Sequence, residues 1–279
     1  MSHSASGLNF SKLEALGNDF VLLDLRAGGA DPAAALVRML ADRHTGIGFD
    51  QLLTLHSADT ADADCRVQIY NADGSHAQQC GNGMRAVALW LHQSNPDQKH
   101  FVLETASGPV SAEIESAHAI SAGMGLPNFD PATVGLQTRE PLEQLVPPIP
   151  GCLGLGTVSV GNPHLIILLE HPAAPELVEQ TGRELSQLAC FADGVNVSFA
   201  CVEAPDRVVL RVHERGVGPT LACGSAACAT AAWLIHQDLV QPPVRVEQPG
   251  GALVINWPGP RHPILMKGPA RRVFDGTMP

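Results

Sequence analysis

Residues 80–91 read CGNGMRAVALWL and residues 223–234 read CGSAACATAAWL, and the likeness of these two stretches decides the fold. Each opens Cys-Gly and runs on as a segment that is apolar nearly all round. A helix of that kind, expected over 84–91 and 226–235, has little polar face and must be buried. Its many alanines let sheet backbone approach closely. Shifting the sequence by 143 (223 − 80) lays Cys80-Gly81 on Cys223-Gly224, and Ala86, Ala88, Trp90 and Leu91 on Ala229, Ala231, Trp233 and Leu234. The same shift lays Asn71 on Glu214. A shift of 144 lays Gly17-Asn18 and the apolar run after it on Gly161-Asn162 and its own apolar run. The chain is therefore two related halves in tandem, each with one Cys-Gly at the start of one buried helix.

Around these helices, short apolar runs bounded by Gly, Pro, Asn and Asp read as strands, among them 20–25, 67–70, 101–104, 165–169, 208–213 and 252–257. Asp31-Pro32, a capping residue followed by Pro at the first helical position, predicts the start of an amphipathic helix. A second surface helix fits 175–188. The Pro- and Gly-rich stretch 141–156 reads as an ordered loop. Helices and strands mixed in this way make the fold class α+β.

The bulk composition narrows the function. With 279 residues, 45% hydrophobic and 16% charged, the chain is globular and long enough for about two domains. A net charge of −11 argues against a nucleic-acid partner, which calls for a basic face. The first ten residues show neither a basic region nor an apolar core of a signal peptide. No apolar run approaches the roughly 18 residues of a membrane span. Seven scattered cysteines, an odd number, fit a reducing compartment, hence the cytoplasm. The absence of Cys-x-x-Cys, His-Glu-x-x-His or clustered histidines gives no support to a metal site.

Cys80 and Cys223 carry the chemistry. A cysteine at a helix N-terminus sits among unpaired backbone N–H groups at the positive end of the helix dipole. Both favour thiolate, lowering the thiol from about 8.5, and the same N–H groups can hold a carboxylate. Inverting an amino-acid Cα requires a base on one face and an acid on the other, which a thiolate and a thiol supply when two such helix starts point at one cleft. N–H groups of Gly81-Asn82 and Gly224-Ser225 are placed by sequence to stabilise the enediolate-like carboxylate that develops. Cys65, Cys152, Cys190, Cys201 and Cys228 read as small buried hydrophobes.

At this point a resemblance emerges. The sequence resembles the diaminopimelate epimerases over Gly17-Asn18-Asp19-Phe20, GIGFDQLL at 46–53, NADGSHAQQCGNGMRA at 71–86 and GNPH at 161–164. It continues through GVNVSF at 194–199, HERGVGPTLACGSAACA at 213–229 and GPARRVFDG at 268–276. The resemblance implies two pseudo-symmetric halves, each a curved, barrel-like mixed sheet wrapped around its central helix. The halves would be 1–124, with 267–279 returning to it, and 125–266. It implies Cys80 and Cys223 as paired acid and base, with His164 and Glu214 tuning the thiols. Gly81, Asn82, Gly224 and Ser225 fall at the reacting carboxylate with Asn18 and Gln51 nearby, and Asn71, Asn162, Asn196, Glu214 and Arg215 surround the rest of the substrate. No cofactor and no metal is implied; a homodimer acting on diaminopimelate is.

Taken alone, several of these residues have plainer readings. Arg215 suits bidentate capture of a distal carboxylate, but equally a surface ion pair. His164 alone reads as a core histidine, and Asn71 in Asn-Ala-Asp-Gly as a turn residue. The chain departs from the family pattern at His213, where Tyr is common, at Pro219, where Glu is common, and at Ser225 and Ala226, where Thr and Gly are. Two rivals stand beside the epimerase reading: a proline or hydroxyproline racemase, and a non-catalytic thiol redox or binding module.

Overall fold

The computed structural model describes residues 7–77 and 80–278. Residues 1–6, on which the signal-peptide reading partly rests, and Gln78-Gln79 of the first cysteine motif lie outside the described residues. Two compact units divide the chain, 1–122 with 268–279, and 123–267.

In the first unit, β1 (Leu8–Ala15) pairs antiparallel with β2 (Asn18–Asp24) and with the chain's last strand, Arg271–Met278. From β2 the chain passes through α1 (Ala34–Ala41) to β3 (Gln51–His56), parallel to β2 with Gln51 beside Phe20. Antiparallel to β3 comes β4 (Cys65–Asn71), on which the two-residue β5 (His76–Ala77) folds back. After α2 (Gly81–Ser94), β6 (His100–Thr105) lies parallel to β4, and β7 (Gly108–Ser116) and β8 (Ala119–Gly123) follow antiparallel.

This sheet is covered on both faces, which is why 20–23 is an unbroken apolar run rather than an alternating one. Phe20, Leu22, Leu53 and Leu55 turn to the core that holds Met84, Val87, Ala88 and Leu91 of α2. Val21, Leu23 and Leu52, on the other face, pack with Val37 and Leu40 of α1. The expected helix at Asp31-Pro32 needs correcting: α1 begins at Ala34, with Ala33 as an N-cap that makes no side-chain bond. Asp31 is drawn away instead, its carboxylate accepting from Thr54 Oγ1 (3.3 Å) and lying 2.9 Å from His56 Nε2.

The second unit repeats the pairing order of β1 to β8. β9 (Cys152–Ser159) is antiparallel to β10 (Pro163–Leu169); α4 (Pro175–Ser186) leads to β11 (Asn196–Ala204), parallel to β10. β12 (Arg207–Glu214) is antiparallel to β11 and carries the short hairpin strand β13 (Gly218–Thr220). After α5 (Gly224–His236), β14 (Val244–Gln248) lies parallel to β12, followed antiparallel by β15 (Gly251–Asn256) and β16 (Leu265–Gly268). The stretch 141–156 is only partly a loop: it holds α3 (Leu142–Leu145) and the start of β9.

From Ala226 to Leu234, α5 is buried at every residue. Its Trp233 ring lies so close to β9 that a Cβ on Gly156 would fall 2.1 Å from the indole Nε1. The tandem reading and the two central helices thus have one physical basis, a sheet whose inner face is filled by an alanine-rich helix. Among the other cysteines, Cys65, Cys201 and Cys228 are buried, whereas Cys152 and Cys190 are only partly so.

Candidate active site

Cys80 is the N-cap of α2, in extended conformation (φ −149°, ψ 96°), and its sulfur accepts the Gly83 N–H at 3.3 Å. Asn82, in the first turn, is buried; its Oδ1 accepts from Arg85 Nη2 at 2.9 Å and its Nδ2 donates to Asn18 Oδ1 at 3.4 Å. Asn18 begins β2, and its Oδ1 also lies 3.9 Å from Cys80 Sγ. Its Nδ2 donates to Asp50 Oδ2 at 2.9 Å. On the adjoining strands Gln51 Nε2 donates to Asn71 Oδ1 at 3.0 Å, and Asn71 in turn donates to Ser75 Oγ at 3.1 Å. The turn reading of Asn71 and its placement beside Gln51 are therefore compatible.

Cys223 caps α5 in the same extended conformation (φ −126°, ψ 114°), but without a side-chain cap bond. Its own N–H is held by Gln248 Oε1 at 2.8 Å. Ser225 Oγ lies 3.4 Å from Cys223 Sγ and accepts from Asn162 Nδ2 at 3.1 Å. Asn162 Oδ1 lies 2.9 Å from His164 Nε2. His164, fully buried, is brought down to about 3 by that burial and then by the charge of Arg215, so it is neutral at physiological pH. One strand over, Asn196 donates to Pro163 O (2.9 Å) and accepts the Arg215 N–H (3.0 Å). Glu214 is held by Thr220 Oγ1 at 2.7 Å.

For Cys223 the expectation of a lowered thiol pKa needs correcting. Burial raises it well above its ordinary value, with the Glu214 charge adding to the rise, and the Ser225 hydroxyl and Ala226 N–H only partly oppose this. A helix N-terminus favours thiolate only where water or a counter-charge shares the load. Arg215 extends over Gly194, donates from Nη1 to Asp193 O at 2.8 Å, and borders a cavity with Gln137, Ser186 and Phe191.

The diaminopimelate epimerase family model matches residues 10–129 and 156–273. The chain belongs to the diaminopimelate epimerase family. It is 45% identical to the diaminopimelate epimerase of Xanthomonas campestris pv. campestris over 273 residues, 96% of this chain and 95% of that one. The diaminopimelate epimerase of Xylella fastidiosa (strain M23) is 44% identical over 274 residues, covering 97% and 96%. Solved structures share the fold at far lower identity. A PhzF-family phenazine biosynthesis protein of Bacillus anthracis superposes with TM-score 0.66 at 16% identity, covering 98% of this chain and 99% of that one. A hydroxyproline epimerase of Agrobacterium vitis gives 0.67 at 14%, covering 99% and 94%. The fold is thus that of the diaminopimelate epimerases and PhzF proteins: two halves of mixed sheet, each with a central helix.

Two departures from the family's usual residues face each other in register, His213 on β12 opposite Pro219 on β13. His213 is buried against α4, where a Cβ on Gly182 would fall 2.5 Å from the His213 Cβ. Residues that the sequence reading did not single out complete the surroundings of the two cysteines. Asp50 and Arg85 lay unremarked inside motifs already quoted; Gln248 carried no signal, because it is brought to Cys223 from a strand 25 residues away.

Proposed function

We propose that this protein is a cofactor-independent epimerase that interconverts LL- and meso-diaminopimelate, a step serving lysine and peptidoglycan precursor synthesis. The observation that carries this reading is the pair of cysteine N-caps on repeat-related buried helices, in a chain of this family. One sulfur, as thiolate, takes the Cα proton; the C–H electron pair moves into the carboxylate to give an enediolate-like anion. The other, as thiol, gives its proton to the opposite face, so the two sulfurs end with exchanged protonation states. N–H groups at the starts of α2 and α5 favour negative charge on the carboxylate oxygens.

Arg215, Asn196, Asn162, Asn71 and Glu214 suit the non-reacting end, a second amino acid head group with both charges. A cyclic imino acid offers no such carboxylate, and this argues against the racemase reading, which fold likeness alone does not separate. No helix among the described residues is long and apolar enough to cross a membrane, and a cytoplasmic location accords with the thiol chemistry. Exposed Val273 and Phe274 on the last strand, with Phe274 edge-on to Phe10 at 6.0 Å, offer an apolar face for a homodimer.

The test is incubation of dialysed, chelator-treated protein with LL-diaminopimelate in heavy water. The meso isomer should appear with deuterium at Cα, and no cofactor absorbance should be present. Exchange into proline but not diaminopimelate would transfer the chain to the racemase class, and no exchange into either would leave a thiol-bearing binding module.

A further inference from the structure

Asn18 and Asn82 belong to a chain of side chains whose two ends dictate its sense. At one end Arg85 is a donor only, so Asn82 must turn Oδ1 toward it, at 2.9 Å from Nη2. That leaves Asn82 Nδ2 to donate to Asn18 Oδ1 at 3.4 Å. At the other end Asp50 Oδ2 already accepts the Asp19 N–H, so Asn18 turns Nδ2 toward it, at 2.9 Å. Both ends give the same answer: the Asn18 carbonyl oxygen faces the start of α2, 3.9 Å from Cys80 Sγ.

Asp50 is itself held. Its Oδ2 accepts the Asp19 N–H at 3.1 Å, its Oδ1 accepts from Arg43 Nη2 at 2.7 Å, and its own N–H donates to Asp19 Oδ1 at 3.0 Å. Arg43 also bridges to Asp19 (2.8 Å), which Lys12 Nζ grips from the buried side at 2.6 Å. These residues carry the Asp of Gly-Asn-Asp-Phe and the Asp of Gly-Phe-Asp-Gln, two motif positions for which the reaction itself has no use.

We propose that Asp50 is a positioning residue: it locks the Asn18 amide so that a carbonyl oxygen, not an N–H, is presented to Cys80. A sulfur that alternates between S⁻ and S–H needs a partner for each state. Gly83 N–H serves the thiolate and Asn18 Oδ1 accepts from the thiol, so neither state is trapped. With the clamp gone, only the long 3.4 Å bond from Asn82 Nδ2 opposes a flip of the Asn18 amide that would offer Nδ2, which favours thiolate alone. The role rests on the epimerase reading for its purpose, but not for its geometry.

The experiment measures iodoacetamide alkylation at Cys80 and Cys223 by peptide mapping at fixed pH, alongside kcat for epimerisation, in wild type, Asp50→Ala, Asn18→Ala and the double variant. Asp50→Ala should alkylate at Cys80 about threefold or more faster with Cys223 unchanged, and kcat should fall about tenfold. In the Asn18→Ala background the Asp50 substitution should add nothing to either. Arg43→Gln, at an exposed side chain, should shift Cys80 alkylation the same way by a smaller factor. Unaltered Cys80 alkylation in Asp50→Ala, or effects that simply multiply with those of Asn18→Ala, would overturn the proposal. The alkylation arm reads out even if diaminopimelate is not the substrate.

Discussion

Asn18 and Asn162 stand at equivalent places in the two halves, and their side-chain amides are held in opposite senses. Asn18 donates to Asp50 and turns its oxygen toward Cys80; Asn162 sets its oxygen 2.9 Å from His164 Nε2 and donates to Ser225 Oγ, which adjoins Cys223. His164 is neutral and its Nδ1 has no partner, so the single ring N–H belongs on Nε2, since a buried orphan N–H is the costlier choice. Ser225, already accepting from Asn162, keeps a hydroxyl hydrogen and a second lone pair, so it can meet the Cys223 sulfur as donor or as acceptor. One cysteine therefore meets a carbonyl and the other a hydroxyl. The duplicated Cys-Gly starts are chemically unlike because their second neighbours differ.

Each cysteine should be indispensable. Cys80→Ala and Cys223→Ala should each abolish epimerisation, because one base cannot serve both faces of a fixed carbon. Cys223 is the more deeply buried, so its loss should cost the larger part of a stability change of about 1–2 kcal/mol, which thermal melts would read. Near-normal turnover by either variant would mean a one-base mechanism.

Acid stability should report on Asp19. Burial pushes its carboxyl up, but hydrogen bonds from Arg43 and Lys12 outweigh this and bring it from 3.8 down to about 2. A depressed carboxyl stabilises the fold above the unfolded value and loses that stabilisation as pH falls through the folded one. The contribution is roughly 2 kcal/mol, present above pH 4 and lost toward pH 2. Denaturant titrations should therefore fall more steeply over that window for wild type than for Asp19→Asn. Parallel curves would show that the ion-pair cluster is worth nothing to the fold.

Gly182 offers a test of packing against propensity. Glycine to alanine inside a helix ordinarily gains about 1 kcal/mol. Here the new Cβ would fall 2.5 Å from the His213 Cβ, an atom fixed to strand β12 that cannot swing aside. Overpacking of that kind costs about 1–3 kcal/mol, so Gly182→Ala should lower the melting temperature by several degrees. A higher melting temperature would mean that α4 slides freely on the sheet.

The repeat was legible because duplication leaves its mark in the local sequence: the Cys-Gly starts and their alanine-rich helices needed no partner to be recognised. Strands covered on both faces were legible as apolar runs for the same reason. Asp31 was misread because its capping role competes with His56 and Thr54, which come from a strand over twenty residues away. Cys223 was misread in its acidity because burial and the approach of Glu214 are tertiary facts. Orientation, as at Asn18 and Asn162, is invisible in sequence: the same residue after the same glycine acquires its sense from Asp50 in one half and His164 in the other.

Arg215 should set substrate choice, and lysine should not replace it. Its backbone is fixed by Asn196 at 3.0 Å and one guanidinium nitrogen donates to Asp193 O at 2.8 Å, which leaves the other guanidinium N–H groups of an exposed side chain to meet a ligand. Diaminopimelate differs from lysine by its second carboxylate, so discrimination rests on whatever meets that group. A guanidinium can grip it through two parallel hydrogen bonds; an ammonium offers one compact charge. Losing a charged hydrogen bond costs about 1.5–3 kcal/mol, and roughly 1.4 kcal/mol is tenfold in kcat/KM. Arg215→Lys should therefore lower kcat/KM for diaminopimelate at least about tenfold while alkylation of Cys80 keeps its wild-type rate. Steady-state kinetics beside alkylation rates make the comparison. Unchanged kinetics would return Arg215 to a surface role and reopen the reading as a racemase of smaller amino acids.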